Sequence, residues 1–234
     1  SSINKESKNY ISLSDKSMDK EHSNYIVAGD FSSSAFIIVA ALICNEADIL
    51  IKNVGINETR SGLIDVLKEM NGDIQILNQR NQCNEEVADI RVKSSKLKGI
   101  GVPSSVIPNI IDEIPILCVA ASFADGKTSI KDAKELRVKE SDRLQATSDG
   151  LSKIGVQHKQ LEDGIEIYGN SNFFIDKENI IINSFDDHRI AMSFLIAAMK
   201  SKNGIKVNSC ENIKTSFPNF IELMNSLGGD FYAV

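Results

Sequence analysis

Cysteine is scarce in this chain and poorly placed for metal or redox work. Cys44, Cys83, Cys118 and Cys210 are scattered, with no C-x-x-C pair and no histidine beside them, so nothing has the spacing of a metal site. Cys44 and Cys118 fall inside apolar runs and are expected to be small core hydrophobes; Cys83 and Cys210 sit in polar surroundings without a role. His22 and His158 lie in polar stretches and read as surface residues. Positive charge is also short. The net charge is −6, whereas nucleic-acid binding usually calls for a basic face. The longest apolar run, Ala35 to Cys44, is too short to cross a bilayer. The polar opening, Ser1 to Ser23, lacks the apolar core of a signal peptide. A cytoplasmic protein with neither nucleic acid nor membrane as partner is the expectation.

What is present is ordinary globular material. The chain has 234 residues, 42% of them hydrophobic and 25% charged, enough for one large domain or two small ones around a sizeable core. Residues 1–24, rich in Ser, Lys, Asn and Asp, read as a flexible start or the tail of something absent, and 25–234 as the folded part. A short strand, Tyr25 to Ala28, breaks at Gly29-Asp30, a turn too weak as a signal to be a phosphate loop. Ser32, Ser33 and Ser34 then offer caps to a helix that is apolar on every face, Ala35 to Cys44, which must therefore be buried.

The pattern recurs. A strand (Asp48–Val54), an amphipathic helix (Thr59–Met70) and strands over Asp73–Leu77 and Ala88–Val92 follow the first apolar helix. Asp112 stands as the cap of a second, Ile114 to Ala124. After it come a strand (Thr128–Ile130), a helix with the stripe Leu144, Leu151 and Ile154 that ends at Gly155, and a strand (Ile165–Tyr168). Asp187 stands as the cap of a third, Ile190 to Met199, before a strand (Ile205–Asn208), a helix (Phe217–Leu227) and, past Gly228-Gly229, a closing strand. One unit thus occurs three times, over about 25–98, 99–172 and 173–234. Three long units argue for an α/β pseudo-threefold domain rather than a solenoid, with the apolar helices at its centre and sheets around them.

Such a domain would bring three helix N-termini to one face, carrying Ser32–Ser34, Asp112 and Asp187-His188-Arg189, with loops holding Lys139, Arg143 and Lys214 in reach. Helix N-termini favour anions, and arginine grips a phosphate or carboxylate with paired hydrogen bonds. Taken singly, Asp112 and Asp187 read as caps worth about 0.5–2 kcal/mol each. The charged stretch Leu136-Arg137-Val138-Lys139-Glu140-Ser141-Asp142-Arg143 on its own would pass for a solvated, self-paired helix start.

Arg-Val-Lys-Glu-Ser-Asp-Arg, with Asp112-Glu113-Ile114-Pro115 before it and Asp187-His188-Arg189 after it, resembles the 5-enolpyruvylshikimate-3-phosphate (EPSP) synthase family. The likeness runs from about Tyr25 to the C-terminus and covers about half of a family member. It implies one of two similar domains, each with sheets outside central helices, and ligands held in the cleft between them. It implies transfer of the enolpyruvyl group of phosphoenolpyruvate (PEP) to the 5-hydroxyl of shikimate 3-phosphate, with release of phosphate and no metal or organic cofactor. In that pattern Glu140 handles the PEP methylene proton. Lys139 meets the shikimate phosphate and serves proton transfer, and Asp112 meets the ring hydroxyls as candidate base. Arg143 and Arg189 clamp PEP, the anion whose place glyphosate takes in the family, while His188 and Asp187 support the site.

Two positions depart from the pattern. Glu135 stands where some members place an Asn contacting the shikimate phosphate; an acid there repels that phosphate, so it is left out of the site. Some members carry a Lys two residues before Phe-Pro; here that place is Thr215, and Lys214, one residue earlier, is the candidate PEP contact. The partners implied are PEP, shikimate 3-phosphate and the N-terminal domain of the same enzyme, working as a monomer. The alternatives are the sibling transferase acting on UDP-N-acetylglucosamine and a non-catalytic threefold scaffold.

Overall fold

Three helices without a polar face can only be buried against one another, and the computed structural model places them so. It describes residues 2–7, 10–14 and 26–233. The chain opens on two antiparallel strands, β1 (Ser2–Ser7) and β2 (Tyr10–Ser14). The first unit runs through α1 (Phe31–Ile43), β3 (Asp48–Gly55), α2 (Gly62–Glu69), β4 (Asp73–Gln82) and β5 (Glu85–Lys93). The second holds α3 (Ile107–Ile110), α4 (Ile114–Ser122), β6 (Gly126–Ile130), α5 (Arg143–Ile154), β7 (Gln157–Gln160) and β8 (Ile165–Gly169), with 3-10 turns over Ile111–Glu113 and Lys134–Val138. The third holds β9 (Ile181–Asn183), α6 (His188–Ala198), β10 (Lys206–Asn208), α7 (Ile213–Ser216) and α8 (Phe220–Ser226).

Each of the apolar helices α1, α4 and α6 touches the other two. In α4 every residue is buried, and in α1 all but Ser33. The first two units repeat one topology, antiparallel sheets of order β3-β5-β4 and β6-β8-β7. The third pairs β10 with β9 in parallel. That parallel pair has counterparts in the bridges Gly29↔Val54 and Gly101↔Ser129, so in every unit the segment entering the central helix lies beside the strand leaving it. By length and composition one stretch, Ser104–Ser122, could cross a membrane. It is instead a succession of short helical pieces interrupted by Pro108 and Pro115, and its last nine residues are buried core.

Several local expectations are corrected. The serine run is the first turn of α1, not its cap: Asp30 accepts from the Ser33 N–H at 2.7 Å and the Ser33 hydroxyl at 2.8 Å, a carboxylate at the positive end of the helix. Asp112 does not cap α4. The cap position is Glu113, whose side chain makes no capping bond, and Pro115 removes one of the N–H groups a cap would serve. Asp187 does cap α6, accepting from Arg189 N at 2.9 Å. Gly155 ends α5 in the left-handed region, φ 91°, as expected of a helix-terminating glycine. Residues 26–28 are not a strand, and no strand follows Gly228-Gly229 among the described residues. Within the supposedly flexible 1–24, β1 and β2 pair. The alternation Ile11-Ser12-Leu13-Ser14 is the local signal for the second of them. The remainder of that stretch lies outside the described residues.

α5 lies on α6 through Gly150: a Cβ there would come within 2.0 Å of Cζ of the buried Phe194. Helix propensity alone favours Gly150→Ala by about 1 kcal/mol. Overpacking opposes it by about 1–3 kcal/mol. Urea unfolding of Gly150→Ala should therefore show a loss of stability, relieved when Phe194→Leu is added. A gain would mean that the helices separate at no cost.

Candidate active site

The N-terminal ends of the three central helices are joined by side chains. At the start of α1, the Ser32 hydroxyl donates to Glu113 Oε1 at 2.5 Å, just before α4. Arg189, in the first turn of α6, donates to the same Oε1 and to the Asp112 carbonyl, both at 3.2 Å. Glu113 is almost fully buried. Burial pushes its carboxyl above the ordinary range, and the Ser32 hydrogen bond, Arg189 and Arg60 pull it only part of the way back.

Arg143, the first residue of α5, is the centre of the cluster, with 1% of its side chain exposed. Its Nε donates to Asp187 at 2.8 Å, Nη1 to Asp112 at 3.0 Å and Nη2 to Glu140 at 2.5 Å. Asp187, also without exposure, takes a further bond from the Ser141 hydroxyl at 3.0 Å besides capping α6. Asp112 stands among four cations: Arg143, Lys139 at 3.7 Å, Arg189 at 3.7 Å and Arg60 at 3.8 Å. Burial pulls its carboxyl upward, but Arg189, Arg143 and Lys139 together outweigh burial and hold it below the usual aspartate value. Lys139 also pairs with Glu135. His188, half-buried at the head of α6, is pushed below the usual imidazole range by burial and by Arg189, with Asp187 pulling the other way.

So Asp112, Lys139, Glu140, Arg143, Asp187 and Arg189 form one connected network, and His188 borders it. Lys214 is exposed on α7 and takes no part in the ion pairs. Arg137 turns away, donating to the Glu162 and Leu161 carbonyls and to Asp142. Sequence reasoning missed Arg60 and Glu113. The repeat itself pointed to Arg60, since the loop from β3 to α2 is the first unit's counterpart of the loop from β6 to α5 that carries Lys139. Chemically, the network is a cluster of guanidinium and ammonium groups with carboxylates between them. It can orient polyanions and move protons.

A family model described as EPSP synthase (3-phosphoshikimate 1-carboxyvinyltransferase) matches residues 2–224. A protein of Geotalea daltonii named 3-phosphoshikimate 1-carboxyvinyltransferase is 52% identical over 202 residues, 86% of this chain and 46% of that protein. One of Petrotoga mobilis with the same name is 48% identical over 207 residues, 88% of this chain and 47% of its own length. Among solved structures, an EPSP synthase from Acinetobacter baumannii superposes with a TM-score of 0.84 at 44% identity, covering 87% of this chain and 46% of that one. The enolpyruvyl transferase NikO from Streptomyces tendae shares the fold, with a TM-score of 0.66 at 15% identity. The chain spans about half the length of the curated relatives it matches.

The cations around Asp112 make its contribution to stability depend on pH in a definite direction. Its folded pKa lies below the ordinary value of about 3.9. The charged carboxylate therefore stabilises the fold fully above that value, and the contribution is lost as pH falls through the folded pKa. Asp112→Asn should unfold at lower urea than the parent at neutral pH, and the gap should close below about pH 4. A gap that is unchanged down to pH 2 would mean that the ion pairs do not stabilise the fold.

Proposed function

The chain belongs to the EPSP synthase family, and on that premise we propose that it is the C-terminal half of a 3-phosphoshikimate 1-carboxyvinyltransferase. Residues 25–234 form that domain, with its repeats at about 25–98, 99–172 and 173–234, and residues 1–24 belong to the end of the N-terminal domain. One observation carries the reading. Asp112, the Lys139–Glu140–Arg143 stretch and Arg189, three places distant in sequence, meet in one ion-paired cluster at the ends of the central helices. A scaffold module would have no need of that convergence. The enzyme works in the cytoplasm as a monomer on PEP and shikimate 3-phosphate.

The reaction replaces phosphate by an alkoxy group at C2 of PEP and keeps the methylene, so a proton must be added to C3 and later removed from it. Glu140 has 53% of its side chain exposed, the access such an acid needs on the cleft side, and Arg143 orients it. Asp112 accepts the 5-hydroxyl proton. Its basicity rises when incoming anions draw Lys139 and Arg189 away from it. Lys139 holds the shikimate phosphate, Arg189 and Arg143 hold PEP, and Lys214 approaches PEP from α7. His188 and Asp187 keep the head of α6, and so Arg189, in place.

This wall alone leaves its ligands hydrated, where each charged contact is worth little. The test is a phosphate-release assay with PEP and shikimate 3-phosphate. The chain by itself should show no turnover, and adding the N-terminal half as a second chain should restore part of it, below the intact enzyme because linkage is lost. Enzyme-like turnover by the chain alone would overturn the two-wall reading; turnover with UDP-N-acetylglucosamine in place of shikimate 3-phosphate would assign it to the sibling.

In the assembled enzyme Glu140→Gln should lower turnover by about 10²–10⁴-fold with PEP binding nearly intact, the usual weight of an acid–base group. Near-normal turnover in that variant removes Glu140 from the proton transfer.

A further inference from the structure

The carboxylates of the cluster differ sharply in how firmly they are held. Asp187 and Glu113 have 0% and 2% of their side chains exposed, and Asp112 has 22%. Each of these three bonds several groups. Glu140 and Glu135 are looser, with 53% and 61% of their side chains exposed; Glu140 is tied to the buried Arg143, whereas Glu135 has Lys139 as its one ion-pair partner among the described residues. It stands one turn before Lys139, on the 3-10 segment Lys134–Val138. The Lys139 ammonium is thus shared between a fixed acid, Asp112 at 3.7 Å, and a solvated one. Lys139 itself is only 22% exposed, so its direction is set while that of Glu135 is not.

We propose that Glu135 is a displaceable internal counter-anion for Lys139: it holds the ammonium while the site is empty and yields it when a phosphate arrives, so this residue sets the affinity for the phosphorylated substrate. The proposal rests on the reading of Lys139 as a phosphate contact. An exposed pair is cheap to separate, because water screens it and holding two long side chains together costs rotamer freedom. A bound phosphate then faces a displaced but still nearby negative charge. Competition and repulsion act in the same direction, and both weaken as salt is added. Asp112 cannot play this part, because Arg143, Arg189 and Arg60 hold it as well.

The experiment measures inorganic phosphate binding to this chain by NMR titration, and the KM for shikimate 3-phosphate in the chain assembled with its N-terminal half. Glu135→Gln should tighten both by about two- to five-fold at low salt, the range an exposed pair can supply. The gain should shrink as ionic strength rises to about 0.15 M, where the screening length falls to about 8 Å. It should lie in KM rather than kcat. Glu178→Gln, an exposed acid with the same change in net charge and no ion pair to the cluster, should leave both constants unchanged.

An equal gain from Glu178→Gln would assign the effect to net charge and overturn the proposal. So would a gain that survives in Lys139→Met, or the absence of phosphate binding from both parent and Glu135→Gln. Turnover with an unchanged KM would also sink it while leaving the enzymatic reading intact. A tightened phosphate titration in a mixture that turns nothing over would uphold the counter-anion and count against the enzymatic reading alone.

Discussion

A guanidinium with almost no access to water is the constraint on which the rest of this domain depends. Taking Arg143 out of water costs several kcal/mol unless its donors are met by charge in good geometry. Three carboxylates from three places meet it: Asp187 from the head of α6, Asp112 from the turn before α4, and Glu140 from its own approach to α5. Each must be delivered by a different element. The burial of one side chain therefore fixes the relative position of two central helices and one peripheral helix. Asp187 is doubly committed, since one oxygen caps α6 while the other holds Arg143 and Ser141.

The same arrangement determines what the site can do. Arg60, Lys139, Arg143 and Arg189 are interleaved with Asp112, Glu113, Glu135, Glu140 and Asp187. The four cations are thus matched by five carboxylates, and the chain as a whole is acidic. Anions entering the cluster must exchange partners rather than fill empty charge. The acids most open to water, Glu135 and Glu140, are where that exchange is cheapest. Buried Glu113, held up in pKa by its surroundings, joins α1 to α6 through Ser32 and Arg189 and stays out of the exchange.

Legibility followed the range of the forces involved. The three apolar helices, the amphipathic α2 and α5, the cap at Asp187 and the stop at Gly155 rest on interactions within a turn or on burial of a whole face, so their residues announce them. β7 is short and polar, and β9, only three residues long, exists through a parallel pairing with β10 across the whole of α6. No local pattern carries that. Asp112 looked like a cap because it precedes an apolar run, and Arg143, from later in the same unit, and Arg189, from the third, claimed its carboxylate instead. The convergence of Asp112, Glu140, Arg143 and Arg189 was reached through the motifs they share with a family. Spacing alone left the Lys139–Arg143 stretch a plausible surface helix.

The threefold repeat explains why such a cluster forms at all. Three copies of one unit place three equivalent helix ends together, and equivalent loops, from β3 to α2, β6 to α5 and β10 to α8, stand around them. Symmetry supplies the positions and sequence then makes them unlike. The first loop brings Arg60 and the second brings Lys139, Glu140 and Arg143. The third carries Lys214, exposed on α7. A scaffold that needed only to fold could leave all three ends apolar or capped alike, as Asp30 caps α1 and Asp187 caps α6. At α4 the cap is given up: Glu113 makes no capping bond, and Asp112 beside it turns toward the arginines. That exchange of local helix stability for a carboxylate among cations marks the place where the fold serves chemistry rather than itself.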